Sequence, residues 1–164
     1  IVPESRALDG GRPYVAPLLR AGHSVHVIPD CALYQYIPAC DAAFIGSETY
    51  YPDGTCFNTV GSELTALLCS RFHVPFYVPT PLLKLDLRAL DGYRKKPILD
   101  DHRQRIGGSW TADETAGVDF VCPELVAIAP EFITAYITEA GILPPTAMYT
   151  AGLNYAAKLG GANA

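Results

Sequence analysis

Short apolar runs alternate along this chain with longer stretches whose apolar residues recur every three or four positions. "IV" at 1–2 precedes the helical pattern "RPYVAPLLRAG" at 12–22, and "SVHVI" at 24–28 precedes "CALYQYI" at 31–37. "AAFIG" at 42–46 leads to "NTVGSELTALLCSRF" at 58–72, and "PFYVP" follows at 75–79. This is a βαβαβαβ order, which predicts a mostly parallel sheet joined by right-handed crossovers and covered by helices. In the 58–72 segment Val60, Leu64, Leu67, Leu68 and Phe72 form a stripe expected to pack on the sheet, with Asn58 as its cap. Gly22 and Pro75 stand where helices should stop.

Residues 80–117 break the alternation. Seven of the twelve Lys and Arg residues fall between Lys84 and Arg105, and a long irregular excursion with local turns is expected there. Beyond it "VDFVCPEL" at 118–125 predicts a last strand and turn. "APEFITAYITEAG" at 129–141 predicts a helix opened by Pro130 and ended by Gly141, and "PTAMYTAGLNYAAKL" a final helix. The tail "GGANA" is expected to fray.

Composition narrows the class. The 164 residues are 49% hydrophobic, enough for one cored domain and too few for two. A net charge of -5 argues against a nucleic-acid partner, which demands a Lys/Arg excess. Five cysteines without C-x-x-C spacing suggest reduced thiols in a cytoplasmic protein rather than a disulfide framework or zinc site. The apolar runs fall short of the ~20 residues a membrane span needs, so no membrane partner is expected. The chain opens on "IVPESR" without Met, as though entered at a strand, which reads as a piece of a larger protein.

In an open parallel sheet, ligands bind beyond the carboxyl ends of the strands. On the predicted order, Arg6, Asp30, Glu48, Asn58 and Thr59 should face one crevice. The turn after the first strand, "PESRALDGG", lacks the G-x-G-x-x-G of dinucleotide folds, and no phosphate loop, nucleophile elbow or H-E-x-x-H follows, so no cofactor and no metal are expected. Each candidate has a plainer role. Glu48 could be a solvated loop carboxylate, Asn58 a helix cap, Arg6 a partner of Glu4 or Asp9, and Asp30 a cap for the helix near Cys31. Cys31 and Cys56 have no basic neighbour in sequence and read as idle thiols. "DDHR" at 100–103 reads as a solvated charged turn, with a substrate or partner contact as the lesser alternative.

The ordered series "ESRALDGGR", "LLRAGHSVHVIPDCA", "DAAFIGSE…DGTCFNTVGS", "VPFYVPTP" and "VDFVCPELVAIAPEFITAYITEAGILPP" resembles the carboxy-terminal half of the initiation factor 2B alpha/beta/delta subunit family. That family includes methylthioribose-1-phosphate and ribose-1,5-bisphosphate isomerases. The resemblance implies an α/β fold, a three-layer Rossmann-like domain with a mostly parallel sheet and helices on both faces, spanning residues 1–164 as a single domain whose amino-terminal helical partner domain is absent. In the isomerases an open-chain sugar phosphate sits between the two domains, and a Cys and an Asp move protons between adjacent carbons. By motif, Arg6 takes the place of a substrate-binding Arg, Glu48 that of the catalytic Asp in "GAD", and Asn58 and Thr59 that of "NK"; the catalytic Cys should lie upstream of Ile1.

Two departures matter. Glu for Asp moves the carboxyl by roughly 1.5 Å, a misplacement worth on the order of 100-fold in rate, and Thr for Lys removes a phosphate-binding charge. The sequence therefore favours a regulatory or scaffolding module that self-associates as a homodimer or with related subunits and binds a sugar phosphate or nucleotide. The alternative is half of an aldose–ketose isomerase, inactive alone, with Glu48 as its acid or base. The stripe Phe132, Ile133, Tyr136 and Ile137 reads first as core packing, and the resemblance adds a self-association interface as a second reading.

Overall fold

Two two-residue strands that pair in parallel begin the fold. β1 (Val2–Pro3) lies beside β2 (Val27–Ile28), with α1 (Arg12–Arg20) crossing between them. The structure, a computed structural model, describes residues 1–160; of the tail 160–164 that is expected to fray, 161–164 lie outside the described residues. After β2 come a helical segment centred on α2 (Leu33–Tyr36) and then β3 (Ala43–Phe44). A hairpin follows, made of β4 (Thr49–Tyr50) and β5 (Cys56–Thr59), then α3 (Ser62–Phe72) and β6 (Phe76–Pro79). The alternation read from the apolar runs is thus present, with one addition: the polar stretch between β3 and α3 folds as an antiparallel hairpin.

The excursion contains short turns, β7 (Leu99–Asp101), α4 (Arg103–Ile106) and α5 (Ala112–Thr115), and ends in β8 (Val121–Pro123). β7 and β8 pair antiparallel. β9 (Leu125–Ile128) joins the hairpin, giving an antiparallel sheet in the order β4-β5-β9. β10 (Ala135–Thr138) and β11 (Gly141–Leu143) complete a sheet ordered β11-β10-β6-β3, parallel except at β11, and α6 (Met148–Leu159) closes the chain. The architecture is mixed α/β, with parallel and antiparallel sheets, rather than one mostly parallel sheet.

The helix expected over 129–141 is not formed. Its apolar residues fit a helical stripe, but Ile133, Thr134, Ile137 and Thr138 are β-branched and lose side-chain freedom in a helix. An open edge of β6 accepts them instead: Ala135, Tyr136 and Ile137 pair with Tyr77, Val78 and Pro79. Thr134 adds a second tie, donating its N–H to the Phe76 carbonyl at 2.8 Å and accepting the Phe76 N–H on Oγ1 at 3.0 Å. Ile133 and Tyr136 are consequently core residues, as the packing reading of the stripe expects, and the two do not face outward as an interface would require.

α3 also departs from its expected face. It buries Ser62, Ala66, Leu68 and Cys69, while Leu64 and Leu67 are exposed. Small side chains at 62, 66 and 69 recur at i, i+4 and i+7, and let the helix sit close against β6 and β9. Asn58 does not cap it. The helix begins after Gly61, whose φ of +99° only glycine adopts at little cost, and Asn58 lies in β5 with its amide donating to Ser62 Oγ at 3.0 Å.

Candidate functional site

The loops leaving the carboxyl ends of β1 and β2 are held together by one carboxylate. Asp30 Oδ1 accepts the Ser5 N–H and Oδ2 the Arg6 N–H, both at 2.8 Å. Asp30 is therefore not the helix cap that the sequence suggests; no side-chain cap forms there, and its oxygens serve the neighbouring loop. That loop turns sharply: Ser5 and Asp9 have φ of +51° and +54°, values that cost an L-residue energy and persist only where the surroundings enforce them. Gly11 makes the closest approach, since a Cβ there would stand 2.1 Å from the Pro3 carbonyl oxygen.

Around this clasp lies a cavity of about 220 Å³, lined by Arg6, Ala7, Asp30, Val60, Gly61, His102, Ile106 and Cys122. Arg6 reaches it half-exposed. Its guanidinium pairs with Glu4 at 3.0 Å and donates to the Arg105 carbonyl at 3.2 Å, so it is oriented before any ligand enters. The carboxylates Glu4, Asp9 and Asp30 outnumber the guanidinium groups of Arg6 and Arg105 there, with Arg105 reaching Asp9 at 3.8 Å. Cys122 is a thiol rather than a thiolate there: partial burial and then the nearby Asp100 push its pKa up.

Of the five candidates, Arg6 and Asp30 meet in this cavity. Val60 and Gly61 line it directly after Thr59, whereas Thr59 itself pairs with Leu125 in the β5–β9 ladder. Glu48 is exposed beside the hairpin, its N–H donating to the Phe57 carbonyl at 2.7 Å, and lines neither this cavity nor a second one. The second, about 320 Å³, opens beside β5 and β9 with Phe57, Glu63, Lys95, Lys96 and Leu125 on its walls. Cys31 is exposed, and Cys56 is fully buried, its pKa raised chiefly by desolvation.

His102 is the residue that sequence reasoning missed. It is 2% exposed, not a member of a solvated turn. Its N–H donates to the Phe120 carbonyl at 3.2 Å, and its ring Nδ1 lies 3.1 Å from the Ala7 carbonyl. Both partners are remote in sequence, and the surrounding "LDDHRQR" carries no apolar period, so no local signal marks it.

The pocket lies where parallel strands release their loops in a mixed α/β domain, the position at which open α/β folds commonly bind ligands. The sequence model of the initiation factor 2 subunit family (IF-2B) matches residues 1–145, and the chain belongs to that family. A methylthioribose-1-phosphate isomerase of Geobacillus kaustophilus is 35% identical over 141 residues, 83% of this chain and 39% of the relative. A ribose 1,5-bisphosphate isomerase of Archaeoglobus fulgidus is 28% identical over 159 residues, 95% of this chain and 50% of the relative. Among solved structures, the 5-methylthioribose 1-phosphate isomerase of Pyrococcus horikoshii OT3 superposes with a TM-score of 0.76 at 20% identity, covering 96% of this chain and 44% of that one. The translation initiation factor eIF-2B of the same organism gives 0.70 at 23% identity, covering 87% of this chain and 48% of that one. The chain spans about two-fifths to half the length of these relatives. Among the described residues, no helix is long and apolar enough to cross a membrane.

Proposed function

We propose that this chain is the sugar-phosphate-binding half of an aldose–ketose isomerase of the kind its curated relatives are named for. The observation that carries this reading is the meeting of Arg6, Asp30 and Gly61 at the carboxyl ends of β1 and β2, in a cavity large enough for a small sugar. Arg6 would hold the phosphate, and a second half bearing the catalytic Cys would close the site. Glu48 would move the proton as acid or base once that half brings the substrate over the hairpin. A Rossmann-like layering of helices on the sheets, and a site that faces the other half, belong to the same proposal.

The test is an assay of the full-length protein with methylthioribose 1-phosphate and with ribose 1,5-bisphosphate. Turnover is expected with one of them, and Glu48→Gln should lower kcat by at least about 100-fold. Turnover that survives this substitution removes Glu48 from the chemistry.

A second reading is a regulatory or scaffolding module like the initiation factor subunits, binding a phosphorylated ligand without converting it. The exposure of Glu48 outside the cavity favours it. No turnover, together with stable association with related subunits, would decide for that module. In either reading the partner is a second copy or a related subunit, and the cytoplasm is the proposed location.

A further inference from the structure

The buried ring of His102 is used by nothing described so far. A backbone carbonyl can only accept, so the 3.1 Å contact with Ala7 puts the ring proton on Nδ1. In the neutral form of the ring Nε2 is then a hydrogen-bond acceptor. It is fully buried and has no partner among the described residues, and the residue lines the cavity that holds Arg6 and Asp30. An orphaned polar atom of this kind costs free energy unless something in the cavity satisfies it. The other groups restrict what that can be. Both Asp30 oxygens already accept backbone N–H groups, and Cys122 is held as a thiol, so an entering ligand meets the Glu4-paired guanidinium of Arg6 and the unpartnered ring nitrogen of His102.

We infer that His102 is a ligand-contact residue whose Nε2 accepts a hydrogen bond from a hydroxyl of a sugar phosphate bound in this cavity. This rests on the reading that the cavity takes such a ligand, and it adds the residue that would recognise the polyol part rather than the phosphate. A neutral acceptor repels a phosphate oxygen and attracts a hydroxyl, so His102 selects for the carbon chain while Arg6 answers to the charge.

The two roles separate experimentally with D-ribose 5-phosphate and inorganic phosphate as probes, measured by calorimetric titration. His102→Asn keeps a side-chain N–H able to reach Ala7 but removes the acceptor at Nε2. It should weaken D-ribose 5-phosphate about tenfold and leave inorganic phosphate unchanged. Arg6→Met should weaken both. Unchanged D-ribose 5-phosphate affinity in His102→Asn, or equal losses for both probes, overturns the inference while leaving the sugar-phosphate reading intact if Arg6→Met still weakens binding. Failure of the wild type to bind D-ribose 5-phosphate overturns both. Should His102→Asn not fold, nitrogen-15 spectra of the wild-type imidazole serve instead. D-ribose 5-phosphate is expected to shift the Nε2 resonance with the proton remaining on Nδ1, and an unmoved resonance under saturating ligand overturns the assignment.

Discussion

Asp86 is buried while its partner Arg88 lies largely in solvent. One carboxylate oxygen accepts the Arg88 backbone N–H at 3.1 Å and Nε–H at 2.8 Å, and the other accepts from a terminal guanidinium nitrogen at 2.7 Å. The hydrogen bonds from Arg88 outweigh desolvation and hold the carboxyl below its usual range. A depressed folded-state pKa means the unfolded chain binds the proton more readily, so the stabilisation is complete above the unfolded value, near ~3.9, and is lost as pH falls through the folded one. Asp86→Asn should lower the melting temperature at pH 7. Its melting temperature should then change less than that of the wild type between about pH 4 and 2. Parallel acid profiles for the two proteins would remove Asp86 from the acid response. At this scale the sequence was a partial guide. It offered Glu4 or Asp9 as partners for Arg6, and Glu4 takes that place. It could not offer Asp30 as a clasp or His102 as a buried ring, because their partners lie more than twenty and more than ninety residues away.

Gly11 links β1 to α1, and its hydrogen atom fits where a methyl group would overlap the Pro3 carbonyl. Gly11→Ala is expected to destabilise the fold by about 1–3 kcal/mol and to weaken ligand binding as well, because relief of the clash shifts the segment carrying Arg6. Denaturant unfolding checks the first effect and titration with D-ribose 5-phosphate the second; wild-type stability would contradict the close approach. Elements defined by local period were legible, namely β1, β2, β3 and β6 with the helices between them, and the last helix. β10 was not, because the same residues satisfy a helical stripe and a strand, and the edge of β6 that chooses between them is invisible to a local pattern. The β4–β5 hairpin was hidden for a similar reason, since strands of two and four residues around "YPDGT" carry too few alternations to register.

For the molecule as a whole, burying Ile133 and Tyr136 transfers the interface question to other surfaces. Leu64 and Leu67 stand one turn apart on the outer side of α3 at 44% and 50% exposure. If a second copy covers them, the pair Leu64→Glu and Leu67→Glu should convert a dimer to a monomer in sedimentation velocity while leaving the melting temperature measured on dilute monomer within about 1 kcal/mol equivalent of wild type. An unchanged sedimentation coefficient would place self-association elsewhere. The family resemblance was readable because its motifs sit at strand ends in a fixed order along the chain. Ser5 and Asp9, held in the left-handed region by the Asp30 clasp and the Arg105 side, bear on the rate at which the cavity fills. A loop immobilised before the encounter forfeits little disorder when a guest arrives. Association should then be governed by diffusion to the opening rather than by a slow closing motion.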